Sequence, residues 1–331
     1  MTIVVVLSVS GVLGMGWSHH VMRFLSDSKR RRLAAACLAV VCFALPCRAQ
    51  ELQPRRWGHL PIDTNFAGGG YAYSSADIAL DPVLRIEDVE LELHTLPLKY
   101  IRTFELLGKS ARVDWLQSYQ DGEWNGLVNG VPTKVARSGW ADMSFRFAVN
   151  IIGAPPLSGP EFTEYRAATE CETIVGLGFE VQFPTGQYFN DKLINLGTNR
   201  FTFRPQMGVV HRRGKWSAEL TASSWLYTDN DEFFNGNQFE QNPLHTIQGF
   251  VDYTFKPGLW VGAGVAYGIG GKSTVNGIHK DDPRDAILWG LALGYPISKQ
   301  VGGQLTYLSQ RTQTSVGVDS DSLLATISVL W

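Results

Sequence analysis

The sequence predicts an all-β chain, a transmembrane antiparallel up-and-down β-barrel of about twelve strands. Three observations predict it. After residue 49 no run of eighteen apolar residues appears, so no helix of the mature chain is built to span a bilayer. Segments of about ten residues alternate apolar and polar side chains with period two. The connections between these segments alternate between tight turns and long polar loops, as on the two rims of such a barrel.

The first 49 residues read as an export signal. Lys29-Arg30-Arg31-Arg32 is a basic run, Leu33–Pro46 is apolar but short for a bilayer span, and Cys47-Arg48-Ala49 places small residues where a signal peptidase reads them. A mature start at Gln50 is expected, a single-span anchor being the alternative. Ile3–Val9 is a second apolar stretch, and Met22 opens a conventional signal by itself, so residues 1–21 are set apart as an extension whose start codon the sequence leaves open. Six of the 29 basic residues and one of the 31 acidic residues fall in 1–49, leaving 23 and 30, a mature charge near −7. That balance excludes a nucleic-acid binder. Cys37, Cys42 and Cys47 go with the signal; Cys171 is left with no partner for an internal disulfide and no zinc-ligand spacing.

Residues 50–65 form an N-terminal segment on the periplasmic side, which a lumen of twelve strands has room to admit, and 66–331 form the barrel. Strands are expected at 66–74, 88–106, 110–120, 139–152, 173–184, 200–212, 215–228, 244–255, 259–270, 286–297, 301–312 and 322–331. In the second, the phase changes around Pro97, which reads as a bulge or a break. Gly108-Lys109, Arg213-Gly214, Lys256-Pro257-Gly258 and Ser298-Lys299-Gln300 are the tight turns. Long loops are expected near 74–87, 121–138, 185–199, 229–243, 271–285 and 313–321, and 153–172 as a helix or an extended loop on the other rim. Trp115, Tyr119, Trp216, Tyr267, Trp289, Tyr295 and Trp331 face outward near strand ends, as interfacial girdles do. A soluble sandwich also alternates, but it explains neither the two kinds of connection nor the girdles.

Charges on a lipid face cost several kcal/mol at the midplane, so Arg112, Asp114, Arg146, Glu180, Arg200, Arg204, Glu219 and Asp252 are expected to line the lumen. Mixed signs on neighbouring strands suggest a paired ladder: either internal salt bridges or one wall of a solute path. Facing it, Gly262, Gly264, Gly290 and Ala292, with Ala266, Gly268 and Gly294, form a lane of small residues. Long side chains fill it from across the lumen, or a flat solute passes along it, touching Trp260 and Leu288. His94 is expected inward beside Glu90 and Glu92, as a solvated lumen histidine. The acidic clusters Asp229-Asn230-Asp231-Glu232 and Asp281-Asp282 read as turn-forming loops in preference to calcium sites. No serine or histidine is spaced for nucleophilic catalysis, and no cofactor or metal is expected.

The chain stops on Trp331, with Val329, Ile327, Ala325 and Leu323 on the same face. This resembles the signal by which barrels are recognised by the outer-membrane assembly machinery. Asp191–Phe201 resembles the hallmark stretch of a family of outer-membrane transporters catalogued as "MetA-pathway of phenol degradation"; Tyr119–Trp124 and Asn230–Phe234 fit it as well. The resemblance implies a barrel in the outer membrane of a Gram-negative bacterium and, by name only, uptake of aromatic compounds; it carries no binding residues. The expected activity is passive passage of small, aromatic or hydrophobic solutes through a monomeric porin-like channel surrounded by outer-membrane lipid. The competing readings are a barrel enzyme acting on lipid or peptide, and a structural barrel closed by its side chains.

Overall fold

The structure is a computed structural model that describes residues 52–81, 86–128 and 130–331; the expected signal peptide lies outside the described residues. The chain forms β1 (Asn65–Asp81), β2 (Ile86–Leu106), β3 (Lys109–Val128), β4 (Val131–Trp140) and β5 (Ser144–Ile152), then helix α1 (Gly159–Ala168). After it come β6 (Cys171–Gln182), β7 (Thr202–Arg213), β8 (Trp216–Tyr227), the loop hairpin β9 (Asn230–Phe233) and β10 (Asn237–Gln241), β11 (Leu244–Lys256) and β12 (Leu259–Gly270). Short β13 (Ser273–Val275) and β14 (Ile278–His279) precede β15 (Arg284–Pro296), β16 (Val301–Thr312) and β17 (Val318–Leu330).

Each wall strand pairs antiparallel with its neighbours, and β1 pairs with β17, so the sheet has no free edge where it closes. The far half of β3 pairs with β4 and the near half with β5, so β4 and β5 together occupy one place in the wall. The result is a closed antiparallel barrel of twelve strands. Asn65 and Trp331 exchange backbone hydrogen bonds at the short-turn rim, where Gly108 and Gly214 take the positive φ their tight turns need.

Burial fixes which face is which. Arg204, Thr221 and Asp252 point inward at 3% exposure or less, while Met207, Leu220 and Val265 point outward at 52% or more. Apolar out and polar in is the reverse of a soluble core and suits a wall standing in lipid. Trp216, Trp289, Tyr295 and Trp331 are exposed on the outward face.

Several expectations need correction. β1 continues to Asp81, and residues 121–138, expected as a loop, are the end of β3 and most of β4. β2 is unbroken across Pro97, with continuous register to β3 from Glu90 to Leu106. The phase change has another cause. Leu96 and Leu98 face outward, whereas Val89, Leu91 and Leu93 face inward. β2 has 21 residues against 12 for β7, so it runs on for roughly 30 Å beyond a wall of ordinary height. Out of the lipid, the apolar side of such a strand turns away from water. For the same reason His94 faces outward, its Nδ1 2.6 Å from the Tyr71 hydroxyl, and Glu92 accepts from Tyr73.

Candidate functional site: the occupied lumen

Residues 52–64, expected on the periplasmic side of the barrel or entering it, run inside it. Leu52 is 3% exposed and packs among Phe250, Trp260, Ala266, Leu288 and Ala292, with Leu308 beside them. Arg55 donates through Nε to Asp252 at 3.1 Å and stacks on the Trp260 ring at 4.2 Å. Arg56 meets Glu180 at 3.1 Å and donates to Gln206 at 2.9 Å. The two oxygens of Glu219 accept the backbone N–H groups of Arg56 and Trp57, each at 3.2 Å, and Arg112 donates to the Arg56 carbonyl. Buried polar groups are costly unless paired, and here the wall supplies partners the segment lacks by itself.

Trp57 is seated by the absence of side chains. Gly176 and Gly178 on β6 and Gly208 on β7 face its indole, and a Cβ at Gly176 or Gly208 would run into the ring. The indole Nε1 donates to Thr221 at 2.8 Å, and the Arg146 guanidinium lies 4.6 Å from the ring centre. The cavity left beside Trp57 holds about 20 Å³, room for about one water and too little for an aromatic ring.

Below, α1 closes the short-turn end. His59 sits edge-on to Phe162 and Tyr165, with Nε2 2.8 Å from the Pro155 carbonyl and Nδ1 3.4 Å from Glu172. Glu172 also accepts from Tyr165 at 2.9 Å.

All eight charged residues expected in the lumen lie on its inner face, but they do not form one ladder. Asp114 pairs with Arg112 at 3.3 Å and Arg146 at 3.1 Å; Glu180 pairs with Arg204 at 3.6 Å as well as Arg56. Glu219 and Asp252 hold the N-terminal segment, and Arg200 stands apart near the long loops. The lane of Gly262, Gly264, Gly290 and Ala292 is filled, by Leu52, Phe250 and Leu308 and not by charged chains from across the lumen. Trp260 and Leu288 are buried in the same cluster. At the closing seam, Ile327 and Val329 are exposed on the outward face, and Leu330 pairs with Phe66.

Asp191–Phe201 is a loop that seals a step in the wall. Between β4 and β5 the strand breaks at Asp142, whose carboxylate accepts the N–H groups of Gly186 at 2.8 Å and Thr198 at 2.9 Å. Asn195 ties the loop through Phe189 N–H at 2.8 Å. Asn230 bonds Asn199 and Tyr188, and Asp282 accepts from the Ser273 N–H, so the acidic runs build turns. Among the described residues no three metal-ligating side chains converge. Two contacts were not legible by spacing: Cys171 Sγ lies 3.8 Å from His211 Nε2, and Ser224 Oγ lies 2.8 Å from His245 Nδ1. Both are cross-strand contacts on the outward wall.

A closed wall with an apolar outside and a charged, occupied inside defines a membrane β-barrel of the outer-membrane kind. Residues 87–317 match the family described as "Putative MetA-pathway of phenol degradation", and the chain belongs to that family. Its fold is similar to that of the COG4313 outer membrane channel from Pseudomonas putida F1, at 19% identity and a TM-score of 0.72 over 85% of this chain and 100% of that one. A Pseudomonas aeruginosa FadL homologue also aligns, at 9% identity and a TM-score of 0.44 over 87% and 99%. No curated protein matches the chain.

Proposed function

We propose that this chain is an outer-membrane channel for passive uptake of small solutes, closed at rest by its own N-terminal segment. The observation that carries the reading is the lumen. A wall that merely needed to stand in lipid would fill its interior with wall side chains, whereas here glycines and carboxylates on β6, β7, β8, β11 and β12 are matched to a segment that enters from one end. The segment is continuous with β1 through Asn65, so it leaves without breaking the wall. On this reading the short-turn rim is periplasmic, the signal precedes Gln50, the assembly machinery reads Trp331, Val329 and Ile327, and the protein works as a monomer. The family's description, and the inward Leu91 and Leu93 above the lipid, favour aromatic or hydrophobic solutes.

A permanently closed structural barrel is the second reading, favoured by the small space around Trp57. Single-channel recording on purified protein separates the two. Conductance steps, enlarged when residues 52–57 are deleted, support the channel; silence of both forms supports the closed barrel.

A further inference from the structure

Most buried charges in this lumen are paired. Arg200 is not. The residue is 8% exposed, its Nη2 donates to the Gln241 amide oxygen, and its Nη1 is buried with no acceptor on the protein. No carboxylate lies within ion-pair distance of it among the described residues. Asp142 and Asp229 act on it only from farther away, and Asp142 is already committed to Gly186 and Thr198. Arg284 adds a second positive charge nearby. An arginine stays charged, so an unpaired buried guanidinium is costly to keep.

Its surroundings are aromatic. The guanidinium lies 4.4 Å from the Tyr227 ring and 4.8 Å from the Phe239 ring. Arg204, on the same inward face, lies 4.0 Å from the Trp225 ring. Two further buried groups on the adjoining strands, Trp225 Nε1 and Gln248 Nε2, are also donors without acceptors. One unpartnered acceptor is near, Asp285 Oδ1, but Asp285 is the register partner of outward-facing Ile269. Inside the lumen the unmet demand at this end is for acceptor oxygens.

We infer that the long-loop end of the lumen is a binding site for small aromatic carboxylates, anchored by Arg200. The carboxylate takes the free Nη1 in a charge-assisted hydrogen bond, and the ring lies against Tyr227 and Phe239. Arg284 and Arg204 add attraction, and Trp225 and Gln248 supply donors deeper in. The site lies on the far side of the N-terminal segment from the short-turn rim, so a solute is held there before that segment moves. This rests on the channel reading and names its substrate class.

The test is calorimetric titration of full-length, detergent-solubilised protein with benzoate, and with benzyl alcohol as the neutral probe. Benzoate should bind more tightly than benzyl alcohol. Arg200→Gln should weaken benzoate at least about tenfold, the scale of one lost charge-assisted bond, while benzyl alcohol changes little; Arg200→Lys should fall between. Heat-modifiable gel migration checks that the barrels are folded. Phe239→Ala, in a loop hairpin, gives a second route: it should weaken benzoate more than acetate. Equal benzoate affinity in wild type and Arg200→Gln, equal binding of the two probes, or no benzoate binding at all overturns the inference. Recording in bilayers separates the two claims. Conductance without Arg200-dependent benzoate binding removes the site and leaves the channel; binding with silent bilayers does the reverse.

Discussion

Arg55 bonds Asp252 through its Nε at 3.1 Å, joining residues 197 positions apart and tying the N-terminal segment to β11 of the wall. With Arg56 on Glu180 and Leu52 against Gly264, this fixes the segment at three points spread over β6, β11 and β12. Each point is a partner the wall leaves available, so the segment reads as a plug.

Deleting residues 52–57 should therefore raise single-channel conductance several-fold, because the deletion removes Leu52, both arginines and the indole together. Insertion should be unchanged, since β1 starts only at Asn65. A deletion variant with wild-type conductance would show that the segment does not limit the path.

Asp252→Asn should act more gently. It leaves an amide where Arg55 had a carboxylate, and Arg55 is a third exposed, so water takes over part of the lost pairing. More frequent openings of unchanged size are expected. A change in step size with no change in frequency would count against a latch.

Much of the wall was legible because lipid imposes one rule on every strand. β12 and β16 fall at 259–270 and 301–312, as the alternation placed them. Where the strands leave the lipid that rule lapses, and the far ends of β1 and β3 and most of β4 read as loops. Entry of the segment into the lumen is expected from the sequence, but its seat is hidden for a different reason: Leu52–Trp57 has no periodicity, and its hydrogen-bond partners on the wall lie 56 to 199 positions away. Its trace was present as glycines at 176, 178 and 208, which register brings side by side, but register is not visible in one sequence. Cys171 and His211 meet by the same route.

Those cross-strand pairs bear on catalysis. Cys171–His211 and Ser224–His245 sit on the outward wall, away from the lumen. We expect no phospholipase or peptidase activity from purified protein. Hydrolysis abolished by His211→Ala or His245→Ala alone would overturn that expectation.

The C-terminus makes a separate prediction. Trp331 is 57% exposed at the seam and exchanges backbone hydrogen bonds with Asn65, while Leu330 pairs with Phe66 on the lumen side. Removing Trp331 should lower insertion much more than Leu330→Ala, as the fraction of heat-modifiable barrel in outer-membrane extracts would report. Equal losses would mean that the terminal aromatic is not what assembly reads.

Gly208 offers the sharpest test of the plug, because it alters the wall by one methyl group. Its register partners are Gly176 on β6 and Thr221 on β8, the residue that accepts the Trp57 indole N–H. A Cβ there would enter the five-membered ring of Trp57. Overpacking of this kind costs about 1–3 kcal/mol. The three atoms nearest the new methyl all belong to Trp57, so the strain falls first on the plug, which shifts or leaves. Gly208→Ala should give a folded barrel whose segment 52–64 is cut faster by protease. Gly302→Ala, where the nearest atom to the new methyl is Ser328 Oγ at 3.8 Å, is the control and should match wild type. If both variants are cut at the same rate, Trp57 is not held by the glycine notch, and the segment is secured by its arginines alone.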